Sequence, residues 1–383
     1  MEVYVLDELL RREKVVDLFE SLIWTERWQA NGDFELVLPS TRSSRDLFTK
    51  GTRLVINESH RGMTCETAET KSGLLTVSGR SFEMMMEDRV AMDGMQGLNT
   101  NPNWVITDTP GNIVRTIFKK ICIDGLLSPN DKIPFIQNGS ITPAGTLLEP
   151  DSVVIETLEP KSVYEAVKEL CSIYGLGFRL IRNRDTSQLY FEVYMGSDRT
   201  TRQKLLPAVI FSQDFDNLTN VSSLTSQADY KNVAYVFGKK ATRVVYAGDV
   251  NPDVAGFERR VLMVKADNVD DALVGSALND ALDKLGYDAL AAHRMVDVLD
   301  GEISQLSKYK YGVDYNLGDT VEMRNTEGLS NNMRVTEQIF VADHEGVRSY
   351  PTLELDSYVN PGSWLGWDRN QQWNDNTQTW ATL

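Results

Sequence analysis

The residue type that most often carries acid–base or metal chemistry is scarce in this sequence and is not spaced for it. Three histidines occur in 383 residues, namely His60, His293 and His344. His60 and His344 fall in predicted turns, and His293 falls in a predicted helix. None of them has a histidine or glutamate partner at the spacing of a zinc motif such as His-Glu-x-x-His. Because histidine is the commonest proton-transfer and metal-binding side chain, the sequence predicts neither a catalytic histidine nor a metal centre.

Motifs for nucleophiles, phosphates and paired carboxylates do not indicate an enzyme either. The sequence has no Gly-x-Ser-x-Gly elbow and no phosphate-binding loop of the Walker A type. The glycines of Gly175–Gly177 follow a predicted helix, where a dinucleotide-binding fingerprint would precede one, so we expect a helix C-cap. The acidic pairs Asp214 with Asp216 and Asp270 with Asp271 are expected at solvated strand ends and in a helix first turn. We therefore predict no catalytic residue, no cofactor and no enzymatic activity.

One segment partly resembles a calcium-binding loop. Asp249, Asn251 and Asp253 alternate as the first ligands of an EF-hand loop do. However, Val254 stands where that loop requires glycine, and Arg260 stands where it requires a bidentate acid. The prediction for this segment is therefore a loop that binds no metal.

Composition indicates a folded, acidic protein. The net charge is −16, and the acidic residues are spread along the chain rather than gathered in a tail. No basic stripe is available to hold phosphates, so sequence-specific binding of nucleic acid is not expected. We also expect no membrane-spanning segment and no export signal, because no run of about 18 apolar residues and no basic leader is present. Three widely spaced cysteines, Cys65, Cys122 and Cys171, favour reduced, buried thiols and synthesis in a cytoplasm.

Strand and helix patterns divide the chain into four segments. Residues 1–97 show the short alternating apolar runs and turn signals of a β-barrel or sandwich, and residues 98–200 mix helices with strands. Residues 201–355 return to strands, with inserted helices. Residues 356–383 hold four of the seven tryptophans without any periodic pattern. The predicted fold class is α+β and mainly β, with two β domains, an α+β domain between them and a Trp-rich tail.

Local signals place several elements within these segments. Asn31–Gly32 is the strongest two-residue hairpin signal, and Lys71–Gly73 separates two further strands. A short helix is expected over Ser81–Arg89. Pro110 follows a Thr N-cap at the start of a helix that ends before Gly125. The span Ser162–Gly175 begins with a capping box and presents an apolar stripe, which predicts a second amphipathic helix.

The candidate contact residues are tryptophans, because large aromatic side chains anchor protein interfaces and stack on sugars. They are Trp24 and Trp28 in the first segment, and Trp364, Trp367, Trp373 and Trp380 in the tail. For the tail, three interpretations stay open: packing on the chain's own domains, contact with another subunit, and glycan binding. For Trp24, a place in a β core is the alternative to an interface.

Several motifs together resemble a family of siphophage minor tail proteins, the Gp37-like family. Ser21–Leu36 contains a Ser-Leu-Ile-Trp strand, an aromatic residue and Gly-Asp-Phe-Glu-Leu, and the early strand Val5–Asp7 precedes it as in that family. Ser78–Ser81, Asn232–Gly238 and Asp314–Val321 are similar to later family motifs. The resemblance runs from about residue 3 to residue 355, and the first motif is the most specific.

The resemblance implies a structural tail-tip protein. Hub proteins of this kind carry two β-barrel domains that resemble the tail-tube fold, so three subunits would form a pseudo-sixfold ring. The implied partners are a homotrimer's other copies, the distal tail ring, the tail tube, the tape measure protein and the host-facing or receptor-binding proteins. The implied location is the virion tail tip, and DNA would pass through the ring without specific binding. Two alternatives remain: a receptor- or carbohydrate-binding tip protein, and, with less support, a cell-wall hydrolase.

Overall fold

The protein is mainly β-structure. The structure, a computed structural model, describes residues 1–49, 51–94, 103–139, 149–247, 250–267, 269, 273–293, 296–304 and 308–355. The strands are β1 Val3–Leu6, β2 Arg12–Val16, β3 Ser21–Arg27, β4 Asp33–Pro39, β5 Arg53–Ile56, β6 Gly62–Lys71, β7 Leu74–Ser81, β8 Val90–Ala91, β9 Trp104–Asp108, β10 Ile136–Asn138, β11 Val154–Leu158, β12 Lys161–Ser162, β13 Gly177–Arg182, β14 Leu189–Tyr194, β15 Ile210–Ser212, β16 Leu218–Ser226, β17 Val233–Phe237, β18 Thr242–Tyr246, β19 Val261–Lys265, β20 Val296–Ile303, β21 Thr320–Arg324, β22 Ser330–Asp343 and β23 Gly346–Leu355. The helices are α1 Arg42–Leu47, α2 Pro110–Phe118, α3 Val163–Tyr174 and α4 Gly275–Ala292.

One large sheet joins the two ends of the described chain. Its strands follow the order β15-β21-β22-β3-β4-β7-β6-β5-β1-β2, and β23 pairs with β22. β3 and β22 are antiparallel, with Trp24 opposite Phe340. The sheet does not close on itself within the described residues, which differs from the expected pair of separate barrels. The reason is the pairing of β3 with β22, which places strands from residues 1–97 and 201–355 in a single sheet.

The two predicted hairpin turns have different outcomes. Between β6 and β7, Ser72 and Gly73 have φ of 53° and 82°, the left-handed pair of a two-residue type I′ turn. Between β3 and β4 the loop spans residues 28–32, so the prediction of a two-residue turn at Asn31–Gly32 is wrong. Tertiary contacts determine that loop: the Asn31 backbone N–H donates to the Tyr164 hydroxyl at 3.0 Å.

The predicted α+β segment forms a compact layer of helices on a three-stranded sheet ordered β10-β14-β13. α3 has the predicted capping box, in which the Ser162 hydroxyl accepts from the backbone of Glu165, and it ends at Gly175 with φ of 66°. α2 begins at Pro110 as predicted and continues as a π-helical turn over Lys119–Ile123. The short helix expected over Ser81–Arg89 is a shorter 3₁₀ turn over Phe82–Met86. Local capping signals therefore located both long helices of this segment.

The described chain separates into two compact units. Unit 1 comprises Met1–Thr219, Ile303–Met323 and Asn332–Leu355, and the described part of unit 2 comprises Asn220–Glu302 and Arg324–Asn331. These bounds cut across the segment boundaries expected at residues 97 and 200. Unit 2 contains a sheet ordered β18-β17-β19, and α4 covers one of its faces. The core of unit 2 lies between that face and α4, and its fully buried members are Ala234, Val236, Val245, Ala266, Leu282 and Leu290.

Candidate functional site

The two described tryptophans of the candidate contact set lie inside unit 1. Trp24 is 0% exposed, and its ring centroid lies 5.9 Å from that of Phe34. Its Nε1 donates to the Glu26 carboxylate at 3.2 Å. Trp24 therefore lies in a β core, which was the alternative to an interface position. Trp28 is also buried, at 4% exposure. The tail residues Trp364, Trp367, Trp373 and Trp380 lie outside the described residues.

Trp28 fills a slot between two glycines. A Cβ added at Gly177 would overlap the Trp28 indole, and one added at Gly318 would lie 2.7 Å from its Nε1. The guanidinium of Arg334 lies 4.5 Å from the Trp28 ring centroid. Gly175 provides the predicted helix C-cap, whereas Gly177 provides the space for the indole. Trp28 thus joins the start of β13, the turn before β21 and the strand β22.

An arginine and two carboxylates form an ionic core in unit 1. Arg61 Nε lies 3.7 Å from Glu26 Oε2, and Arg61 Nη1 lies 3.8 Å from Glu83 Oε1. All three side chains are almost fully buried. Arg61 Nη1 also donates to the Arg27 carbonyl at 2.8 Å, and Glu83 accepts from the Leu180 backbone N–H at 2.7 Å. These contacts connect β3, the residue before β6, the 3₁₀ turn after β7 and strand β13.

The ionic core of Glu26, Arg61 and Glu83 is extended by the hydroxyl groups of a tyrosine and a serine. The Tyr311 hydroxyl donates to Glu26 Oε2 at 3.2 Å, and burial raises the pKa of Tyr311 well above its ordinary value. The Ser59 hydroxyl donates to the same carboxylate. Burial lowers the pKa of the Arg61 guanidinium, but Glu83 and Glu26 outweigh that effect and leave it raised. These contacts tie several elements of unit 1 together, although among the described residues Arg61 Nη2 and Glu83 Oε2 have no hydrogen-bond partner.

Asp319 is a second buried carboxylate in unit 1. Its Oδ1 accepts from the Ser197 backbone N–H at 2.6 Å, and its Oδ2 accepts from the Asn316 backbone N–H at 2.9 Å. The nearest cation is Arg199, whose Nε lies 3.6 Å from Oδ2. Burial raises the pKa of Asp319 to about 6, although the two N–H donors and the neighbouring arginines oppose that rise. The carboxyl group therefore titrates in the mildly acidic range.

Asp319 should give the stability of the chain a measurable pH dependence. Its pKa in the folded state, about 6, is above the unfolded value near 3.9, so its contribution is fully present below pH 4 and is lost as the pH rises through 6. The quantity to compare is the difference in free energy of unfolding between the wild type and Asp319→Asn. We expect this difference, wild type minus variant, to fall by roughly 2 kcal/mol between pH 4 and pH 7. Urea unfolding across that range measures the difference. A difference that stays constant with pH would contradict the assignment.

An exposed apolar ribbon lies on the surface of unit 1. β9 and β11 are antiparallel and pair only with each other among the described strands, with Val105 opposite Thr157 and Ile155 opposite Thr107. Alternate residues of both strands face the core, and the others face outward. Ile155 is 70% exposed, and Val105 and Val153 are exposed too. The apolar ribbon, Val105, Thr107, Val153, Ile155 and Thr157, is therefore uncharged on its outer face.

The sequence reasoning named neither the ribbon nor the ionic core. The signal for the ribbon was present, since Val153, Ile155 and Thr157 alternate with residues that face inward. That alternation does not predict which face of the ribbon is buried, because both faces carry β-branched residues. Nothing in the spacing of Glu26 and Arg61 distinguishes buried charges from surface charges.

The described residues also show the geometry of the candidate metal ligands and of the cysteines. No group of three or more His, Cys, Asp or Glu side chains there is arranged to hold a metal ion. Of the calcium candidates, Asp249 lies outside the described residues, and Asn251 uses its side-chain oxygen to accept from the Asp253 backbone N–H at 2.9 Å. Cys65, Cys122 and Cys171 are all buried, free thiols, as predicted. Among the described helices, none combines the length and apolar character needed to cross a membrane.

An open groove of about 710 Å³ lies beside α1 and the strands β1 and β5. Its charged lining alternates in sign, with Glu13 and Asp46 near Lys14, Arg42 and Arg53. A substrate site is typically concave and largely apolar, with a few convergent polar groups. This groove lacks that character, so we assign it no ligand.

A protein-family model matches nearly the whole chain. The model describes the Siphovirus ReqiPepy6 Gp37-like protein, and it matches residues 2–353. No curated protein matches the chain. The matched residues include both units, and the Trp-rich residues 356–383 lie beyond them.

Solved structures of tail proteins share this fold. The tail protein from Neisseria meningitidis MC58 has a TM-score of 0.53 and 16% identity, over 95% of this chain and 98% of that one. The 43 kDa tail protein of prophage MuSo2 from Shewanella oneidensis has a TM-score of 0.55 and 12% identity, over 93% and 98%. Prophage tail protein gp18 from Listeria monocytogenes EGD-e has a TM-score of 0.52 and 11% identity, over 92% and 94%. At such identities the likeness extends to the fold alone.

Proposed function

The chain belongs to the family of Siphovirus ReqiPepy6 Gp37-like proteins, and we propose that it is a structural, non-enzymatic hub of a long-tailed phage tail tip. The observation that carries this proposal is the family match over residues 2–353, together with the fold shared with phage tail proteins. The hub joins the tail tube and the distal tail ring to the host-facing tip. Its further partners are the tape measure protein and the receptor-binding proteins. Function on this account lies in assembly rather than in a reaction.

In this proposal three copies close a ring around the DNA exit channel. A trimer carries a formal net charge of three times −16, which is −48. A field of that sign repels phosphate, so DNA slides through the ring without being held. The proposed role of the negative charge is thus to keep the channel free of bound DNA.

The apolar ribbon of unit 1 is the proposed contact with a second copy of the chain. Its outer face consists of Val105, Thr107, Val153, Ile155 and Thr157 and carries no charge, in a chain of which 25% is charged. Interface cores are depleted in charged residues in the same way. Both edges of the ribbon are unpaired among the described strands, so a second copy can add strands as well as side-chain contacts.

A double substitution in the ribbon tests this proposal. We expect Val105→Asp with Ile155→Asp to convert trimers into monomers, because each carboxylate would be desolvated in the contact. The measurement is mass by light scattering, at a protein concentration where the wild type is trimeric.

The matched control is Leu205→Asp, since Leu205 is an exposed apolar residue of unit 1 that lies outside the ribbon. The control should leave the trimer intact. A trimer that survives the double substitution would move the contact elsewhere. A wild type that is never trimeric would count against the ring itself.

A further inference from the structure

Unit 2 has an open sheet face on the side that α4 does not cover. Ala234, Val236 and Val245 point toward α4 and are buried. The residues between them along β17 and β18 point to the opposite side, as do alternate residues of β19. The register sets them in three rows across the sheet: Tyr246–Val233–Val261, Val244–Tyr235–Met263 and Thr242–Phe237–Lys265.

Among the described residues, the open face is buried at Val233, and its exposed part is the apolar surface beyond that residue. Met263 is 65% exposed and Phe237 is 44% exposed, and Val244 and Val261 are exposed as well. These four side chains present on the order of 350 Å² of apolar surface, within the range at which a patch on a soluble protein marks a contact site. Two indole rings, each burying about 150 to 250 Å², would cover that area. The face therefore has the size to accept about two tryptophans.

The open face also has a charge that contrasts with the rest of the chain. Two basic residues lie at this face, Arg259 and Lys265, whereas Arg243 lies on the α4 side, where its Nη2 is 2.6 Å from Asp283 Oδ2. The guanidinium of Arg259 lies 5.9 Å from the Tyr235 ring centroid and 5.8 Å from that of Tyr246. Lys265 stands in the row of Phe237, toward the other end of the face. The apolar surface is thus bordered by positive charge in a protein of net charge −16.

The chain contains a segment with the complementary properties, residues 356–383. It includes Trp364, Trp367, Trp373 and Trp380, and its charges are three aspartates against one arginine. These 28 residues follow β23 and extend to about 90 Å when stretched, several times the width of a three-stranded sheet. Indole rings pack on apolar sheet faces and attract the cationic groups of arginine and lysine.

We propose that residues 356–383 of the same chain cover the open face of the β18-β17-β19 sheet, with at least two tryptophans on Phe237, Val244 and Met263. The acidic residues of the segment then lie beside Arg259 and Lys265. A second copy's open face would bring like positive charges together, so it is a poorer occupant. Duplex DNA would supply negative phosphates to the arginine and lysine, but its backbone offers no apolar surface to the sheet. The Trp-rich segment thus completes unit 2.

Photo-crosslinking from the open face tests this assignment. A benzoylphenylalanine in place of Phe237 in the full chain, illuminated after mixing isotopically light and heavy protein, should attach to a peptide from residues 356–383 of the same isotope label. The same substitution at exposed Leu205 of unit 1 is the matched control and should not attach to that segment. Attachment between light and heavy chains, or to peptides outside residues 356–383, overturns the proposal. Lack of any crosslink overturns it too.

Tryptophan fluorescence gives an independent readout. Trp24, Trp28 and Trp104 are buried, so acrylamide quenching reports mainly on the four tail tryptophans. Val244→Glu with Met263→Glu should raise the quenching constant at least about twofold, because these carboxylates repel the tail and remove its apolar support. Leu205→Glu, at an exposed position of unit 1 outside the apolar ribbon, should leave it unchanged. Equal quenching in the wild type and the open-face variant contradicts the proposal, as does protection of the wild-type tail only when DNA is added.

Discussion

Replacing Arg61 with methionine is expected to lower the free energy of unfolding by about 3 to 5 kcal/mol, as for other buried ion pairs that lose one partner. Arg61 lies between Glu26 and Glu83 at 3.7 Å and 3.8 Å, and no other cation is paired with either carboxylate in the described salt bridges. Removing the guanidinium leaves two buried negative charges without compensation. Chemical denaturation followed by circular dichroism measures the change.

Two controls separate this effect from simple loss of packing. Arg42→Met removes a guanidinium from a surface pair with Asp46 and should cost within about 0.5 kcal/mol. Arg61→Met combined with Glu26→Gln and Glu83→Gln keeps the shape of the cluster but removes its charges, so most of the lost stability should return. If the triple variant is no more stable than Arg61→Met, the electrostatic account of the cluster is wrong.

Truncation of Trp28 to alanine is the second large expected effect, at about 3 to 5 kcal/mol of unfolding free energy. The indole fills the slot between Gly177 and Gly318 under Arg334, and both backbones are too close for the slot to collapse without strain. Trp28 was a candidate subunit contact. Because it is buried within the chain, we expect its loss to lower stability rather than to affect subunit contacts directly. Urea unfolding measures the loss.

Trp28→Phe is the matched control, because it keeps an aromatic ring in the slot and removes the indole N–H. Among the described residues, Trp28 Nε1 has no hydrogen-bond partner, so replacing the indole by a phenyl ring should cost much less than alanine. Refolded Trp28→Phe should still assemble as the wild type does. If Trp28→Phe is fully stable but monomeric, Trp28 is a contact residue after all.

Local chemistry allowed several elements to be predicted from sequence. Ser162 and Glu165 form the capping box that starts α3, and Gly175 ends it, because these residues satisfy the unpaired backbone groups of a helix terminus. Ser72 and Gly73 adopt the positive φ values that a two-residue turn between twisted strands requires. Such signals depend on a few neighbouring residues, so a single sequence is sufficient to read them.

Contacts between distant residues could not be predicted in the same way. The pairing of β3 with β22 joins residues more than 300 positions apart in sequence. The periodicity of a strand predicts which of its faces is apolar, but it does not identify the strand with which it pairs. Asn31–Gly32 carries the strongest hairpin signal, yet a hydrogen bond to Tyr164 and the close approach of Gly32 to Thr25 select a longer loop. Arg61 is a further case, since its burial depends on two carboxylates, Glu26 of β3 and Glu83 of the 3₁₀ turn after β7, that are distant from each other in sequence.

Electron microscopy of the purified full chain, at two protein concentrations, tests the central claim most directly. The proposed hub predicts annular particles whose class averages have threefold symmetry and a bore wide enough for duplex DNA. Compact monomers or twofold dimers at both concentrations would contradict the proposal that this chain closes a trimeric ring.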